Sequence, residues 1–120
     1  MIDHIGLRTA QFERSKTFYT HALAPLGITP QVEYPGGVGY GRAGVPMFWI
    51  GQSEQAPSSM HLALTAPDPA AVRAFYQAAL AAGASDNGAP GLRPDYHARY
   101  YAAFVIDPDG NNIEAVCHAA

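Results

Sequence analysis

The sequence predicts an α+β fold: two β-α-β-β-β modules forming one curved eight-stranded mixed sheet, with helices outside and a cleft inside. Three observations point to it. The chain repeats itself, since His4-Ile5-Gly6-Leu7 returns 57 residues later as His61-Leu62-Ala63-Leu64, Phe18-Tyr19 as Phe75-Tyr76, and Ala22-Leu23 as Ala79-Leu80. Six of the twenty positions aligned between 4–23 and 61–80 are identical, and such a repeat settles architecture before any local propensity does. In both copies a short alternating apolar run then gives way to apolar residues at helical spacing. After each helix, short strand-like runs follow, punctuated by glycine and proline.

Residues 2–8 alternate as a strand, and 11–24 carry Ser15, Phe18, Tyr19, Ala22 and Leu23 on one helical stripe that Pro25 and Gly27 end. Strands follow near 28–34, 37–42 and 45–51, so module one covers 1–51, and the polar stretch 52–59 reads as a linker. Module two covers 60–120. It opens with a strand over 60–66, and Asp68-Pro69 supplies an N-cap and a first-turn proline for a helix running to about Ala82. A short strand is expected near 84–88, then an irregular loop to residue 95. Two clearer strands, 99–106 and 111–118, flank Asp107-Pro108-Asp109-Gly110, which reads as a tight turn. A ferredoxin-like sandwich is the competing plan, but it uses fewer strands per helix.

At 120 residues the chain makes one domain, since neither half could bury an adequate core alone. A net charge of −3 gives no reason to expect nucleic acid or an anionic membrane as partner. No apolar run approaches the roughly 20 residues of a membrane span. No basic-plus-apolar leader opens the sequence, and the lone Cys117 cannot form an intrachain disulfide. The cytoplasm is therefore the expected compartment, and a buried, inert thiol the expected state of Cys117.

The chemistry concentrates in three residues. His4 and His61 stand at equivalent places in the two copies, and Glu114 interrupts an otherwise apolar final strand. Singly, each has a plain reading, because a strand histidine is commonly a hydrogen-bonded structural residue and a glutamate near a chain end is commonly solvated. Jointly, two imidazoles and one carboxylate make a facial triad that leaves coordination positions open. Strand alternation puts Gly6 and Arg8 on the face of His4, and Ala63 and Thr65 on that of His61. With the tight turn at 107–110, Ala103 falls opposite Glu114, and Tyr101 and Asn112 share the cavity face. Trp49, Tyr101, Arg8 and His97 are thus the candidate substrate contacts: an aromatic wall, a hydroxyl, a cation for an anionic group, and a residue of the loop over 92–97. Each also has a plain structural reading. His21 and His118 are expected to be exposed. No phosphate-binding glycine loop or nucleophile elbow is present.

The repeated plan, the histidine opening each copy, and Asp107-Pro108-Asp109-Gly110-Asn111-Asn112-Ile113-Glu114 together resemble the vicinal oxygen chelate superfamily. That group holds glyoxalase I, fosfomycin-resistance thiol transferases, bleomycin-binding proteins, methylmalonyl-CoA epimerase and extradiol dioxygenases. The resemblance covers essentially the whole chain, and DPDG-x-x-I-E is its most specific piece. It implies one divalent cation (Zn²⁺, Ni²⁺, Fe²⁺ or Mn²⁺) on His4, His61 and Glu114, a homodimer, and a small-molecule substrate whose oxygens chelate the ion. Lyase, isomerase, thiol-transfer and dioxygenase chemistry all stay open, with Glu114 as the candidate base. The fourth ligand place of the family falls on Trp49, where glyoxalase I carries a carboxylate. A metal-free binding protein of bleomycin-resistance type is the alternative.

Overall fold

The computed structural model describes residues 3–55 and 59–120. Residue 2 of the first expected strand and residues 56–58 of the expected linker lie outside them. Each module has the expected plan. Module one is β1 (Ile5–Thr9), α1 (Phe12–Leu23), β2 (Thr29–Tyr34), β3 (Gly37–Arg42) and β4 (Val45–Gln52). Module two is β5 (His61–Thr65), α2 (Pro69–Ala81), β6 (Ser85–Leu92), β7 (Tyr101–Ile106) and β8 (Asn112–Cys117).

All eight expected strands are present, hydrogen-bonded as two four-stranded mixed sheets ordered β1-β4-β3-β2 and β5-β8-β7-β6. In each sheet the first strand runs parallel to the last, and the rest of the ladder is antiparallel. Side chains, not a backbone ladder, join the two sheets. Ile5, Met47 and Phe48 of one line a small apolar gap together with Leu62, Ala63 and Leu64 of the other.

Local sequence explains the boundaries. Asp68 accepts the backbone N–H of Ala71 at 2.8 Å and Pro69 fills the first helical position, so α2 is capped as expected. After α1 a single 3-10 turn carries Pro25, and Gly27 closes it at φ +75°, a conformation that costs a side-chain-bearing residue more. β6 runs longer than expected. Its register shifts around Gly88 absorb Gly88, Pro90 and Gly91, and as an edge strand it tolerates a residue without an N–H.

The helices cover one face of the sheets and pack on each other, enclosing one continuous core. Phe18, Tyr19 and Ala22 of α1 and Phe75, Tyr76 and Ala79 of α2 are buried there at repeat-equivalent places, and Leu23 and Val72 are buried with them. Val38 and Tyr40 of β3 and Ala103 and Val105 of β7 face them. The opposite sheet faces stay open, as the alternating buried and exposed residues of β5 show. Cys117 is a buried free thiol.

A polar buckle fastens the modules. Tyr19 of α1 donates its hydroxyl to Oδ2 of Asp107 at 2.5 Å. Asp107 Oδ1 accepts the N–H groups of Asp109 (2.9 Å) and Asn111 (2.7 Å), and Asn111 in turn accepts the N–H of Met60. Gln11 and Ser15, also from module one, donate to the Asp109 carboxylate. Burial, reinforced by the Asp107 carboxylate, raises the Tyr19 hydroxyl well above its ordinary pKa.

Candidate functional site

The two open sheet faces each form a concavity, and the expected site residues divide between them. The first, about 480 Å³, is lined by His4, Gly6, Arg8, Tyr34, Trp49 and Gly51. The second, about 510 Å³, is lined by His61, Tyr96, His97, Tyr100, Phe104 and Glu114. Both are large enough for a small molecule.

In the second concavity, His61 at the start of β5 and Glu114 in β8 meet, with Nε2 and Oε1 2.8 Å apart. The parallel pairing explains this: His61 lies opposite Asn112 and Ala63 opposite Glu114, so the two side chains are diagonal neighbours on one face. Ala63 between them is too short to interpose. Glu114 is 1% exposed, covered by Phe104 of β7 and by Tyr100, whose hydroxyl donates to its second oxygen. Burial and the neighbouring carboxylate push the Tyr100 hydroxyl up to about 12. The buried carboxylate is thus fully satisfied, one oxygen by an imidazole and the other by a phenol.

Such a pair suits a divalent cation. Cis ligands with bonds of about 2.1 Å stand about 3 Å apart, close to the separation seen here. An imidazole and a carboxylate are also the donors that Zn²⁺, Ni²⁺, Fe²⁺ or Mn²⁺ accept. The structure does not bring His4 to them. His4 precedes β1 in the other concavity, is well exposed, and has Nδ1 2.7 Å from Oδ1 of Asp3. Among the described residues no group of three such donors converges within the chain.

The other expected contacts sort as follows. Trp49 pairs with Gly6 and Gly39 as Glu114 pairs with Ala63 and Phe104, so the two closing strands match as the repeat implied. Arg8 shares the concavity of His4 and Trp49, where it donates to Gln55. His97 lies in the second concavity, its Nε2 2.9 Å from Nδ1 of the exposed His118. His21 is likewise exposed.

Tyr101 lies on the opposite face from the one expected. Its hydroxyl accepts from Arg73 of α2 at 3.3 Å and its ring lies under that guanidinium, so it faces the helix layer rather than the cavity. The reason is one residue of register. Ile106 pairs with Asn112, leaving 107–111 as a five-residue loop held by Asp107, so Phe104 rather than Ala103 stands opposite Glu114. A one-residue slip reverses every side chain of a strand. Tyr100, just ahead of β7, is the hydroxyl that reaches the carboxylate. The signal for it was the run Asp107…Asn111, in which an aspartate can accept the N–H groups two and four residues on.

The fold is thus a pair of repeated β-α-β-β-β modules with a histidine–carboxylate pair on the open face of the second. The chain belongs to the Glyoxalase/Bleomycin resistance protein/Dioxygenase superfamily, whose family model matches residues 1–115. A glyoxalase/bleomycin resistance protein from Albidiferax ferrireducens T118 is similar at 31% identity and TM-score 0.83, over 98% of each chain. A glyoxalase-related enzyme from Fulvimarina pelagi shares the fold at 21% identity and TM-score 0.75, over 98% of this chain and 87% of its own. A glyoxalase I variant from Zea mays does so at 22% identity and TM-score 0.71, over 96% of this chain and 46% of its own. No curated protein matches the chain. Among the described residues no helix is long and apolar enough to cross a membrane.

Proposed function

We propose that the protein is a small metal-dependent enzyme acting on a small molecule as a homodimer. In this reading His61 and Glu114 of one copy and His4 of a second hold one divalent cation. The observation that carries it is the 2.8 Å pairing of His61 with Glu114, a carboxylate 1% exposed on the open face of a sheet. A purely structural strand gains nothing from burying a carboxylate there, because desolvation costs more than an apolar side chain would.

The second copy is inferred from where His4 lies. Within one chain it belongs to the other concavity, and two-fold pairing sets that face against the His61–Glu114 face of a neighbour. Val45 and Met47 on module one and Leu92 and Tyr96 on module two are exposed large apolar side chains that such pairing would cover.

When bound, a divalent cation would polarise substrate oxygens and stabilise developing negative charge on them. The chain's own residues do the rest. Among the described residues lining the His61 concavity Glu114 is the carboxylate, and Trp49 at the equivalent strand place offers no proton acceptor, so Glu114 is the base in this reading. Tyr100 holds the second carboxylate oxygen and fixes its orientation, while Phe104 keeps water from it.

Elemental analysis of protein made without a His-tag tests this, followed by assays of apo and metal-loaded protein on 2-oxoaldehydes, epoxides with thiols, and catechols. The reading expects stoichiometric metal, restored after chelation, and metal-dependent turnover in one class. A metal-free protein that binds a small molecule with full affinity and without turnover would establish the binding-protein alternative instead.

A further inference from the structure

The first concavity has a floor built from missing side chains. β3 reads Gly37-Val38-Gly39-Tyr40-Gly41, with Val38 and Tyr40 fully buried toward the helices and the glycines turned to the open face. A Cβ on Gly39 would stand 2.9 Å from Cη2 and Cζ3 of Trp49, and one on Gly37 2.2 to 2.7 Å from Cε2, Cζ and the hydroxyl oxygen of Tyr34. Both rings therefore lie down on the backbone of β3, in space that side chains would otherwise fill. Their centroids are 6.2 Å apart and their planes inclined by 37°, so they pave one shallow aromatic surface. On the β1 side, Gly6 and Gly51 leave it unobstructed, for no atom lies within 4 Å of a Cβ built on either. At its edge stands Arg8, exposed and on the same face.

We propose that this surface takes the planar, conjugated part of the substrate, and that Arg8 takes a carboxylate carried by it. The inference names a substrate class for the site proposed above, and rests on that reading for the role of the surface in turnover. Two adjacent flat rings gain most from a flat conjugated partner in offset contact. A guanidinium beside an apolar floor adds a charge-assisted pair that a neutral ligand cannot make. An aliphatic acid gains only the second interaction and a neutral aromatic only the first.

Trp49 is the single tryptophan of the chain and reports directly on its own surface. The experiment titrates chelator-treated protein with 1-naphthoate, with neutral 1-naphthalenemethanol and with cyclohexanecarboxylate, following tryptophan emission and, independently, heat of binding. Naphthoate is expected to bind about tenfold more tightly than either control, as one stacking and one ionic contact imply. Arg8→Ala should remove its advantage over the neutral alcohol. Gly6→Leu, whose Cβ has no atom within 4 Å, should block all three ligands while leaving the far-ultraviolet circular dichroism unchanged. Equal affinities for naphthoate and either control, or naphthoate binding indifferent to Gly6→Leu, would overturn the proposal. Because the protein is metal-free in this assay, its outcome is separate from that of the metal analysis.

Discussion

The two modules share one plan and differ where it matters. At the matched strand positions, module one carries Gly6, Gly39 and Trp49, and module two carries Ala63, Phe104 and Glu114. Three positions related by the repeat thus build a bare floor with an aromatic ring laid on it in one copy, and a buried carboxylate under a phenyl ring in the other. The helix-facing half of each module is alike, with Phe18-Tyr19 and Phe75-Tyr76 buried at matched places. The open half, free of core constraints, is where the copies have come to offer different chemistry.

The largest effect expected breaks this asymmetry at its centre. Glu114→Ala should reduce metal content to background, measured by elemental analysis, while Trp49→Ala at the matched place should leave it intact. Trp49→Glu sharpens the point. In a site assembled from two open faces it adds a fourth donor, so metal affinity in competition with a chromophoric chelator should rise.

Next comes the buckle, which ties α1 to the loop before β8 through Tyr19 and Asp107. Tyr19→Phe removes one of the two donors to Asp107 Oδ2, Asn111 Nδ2 being the other, and should cost about 1–3 kcal/mol in urea denaturation at pH 7. The same substitution changes the pH dependence. Because the folded pKa of Tyr19 is raised, the wild-type contribution is complete below the unfolded value near 10. It is lost as pH rises beyond that toward the folded pKa, since the unfolded chain then releases a proton the folded one keeps. Wild type should therefore lose stability above about pH 10 more steeply than Tyr19→Phe, seen in denaturation midpoints across pH 9 to 11.

Tyr100→Phe removes the hydroxyl that orients Glu114 and should weaken metal binding about 10- to 100-fold without changing stoichiometry at saturating metal. Tyr101→Phe, its neighbour on the opposite face, loses only an exposed contact to Arg73 and should alter stability by less than about 0.5 kcal/mol and metal affinity not at all.

These paired tyrosines show how far the sequence could be read. Repeat, helix stripes and strand count were all legible, because each rests on a period that the pattern of apolar residues displays. The pairing of Trp49 with Glu114 as repeat equivalents was legible for the same reason. The face of Tyr101 was not. It depends on the number of residues in one loop, and the Asp107 carboxylate, by accepting two backbone N–H groups, holds five where a tight turn would hold fewer. The separation of His4 from His61 and Glu114 was equally hidden, because strand alternation says which face a residue occupies and not which face meets it. Tyr34, absent from the residues singled out, enters the site only because Gly37 lets its ring lie flat, a contact across strands that spacing along the chain does not reveal.

The central claim, a metal site shared between copies, meets its most direct test in a mixture. His4→Ala and Glu114→Ala are each expected to be metal-free. Unfolded together and refolded, random pairing puts half the dimers in the mixed form, each with one intact site made from the His4 of one copy and the His61 and Glu114 of the other. Metal in the mixture should therefore recover to about a quarter of the wild-type content, with turnover in proportion. A mixture that stays metal-free, or either single variant retaining full metal, would contradict the account.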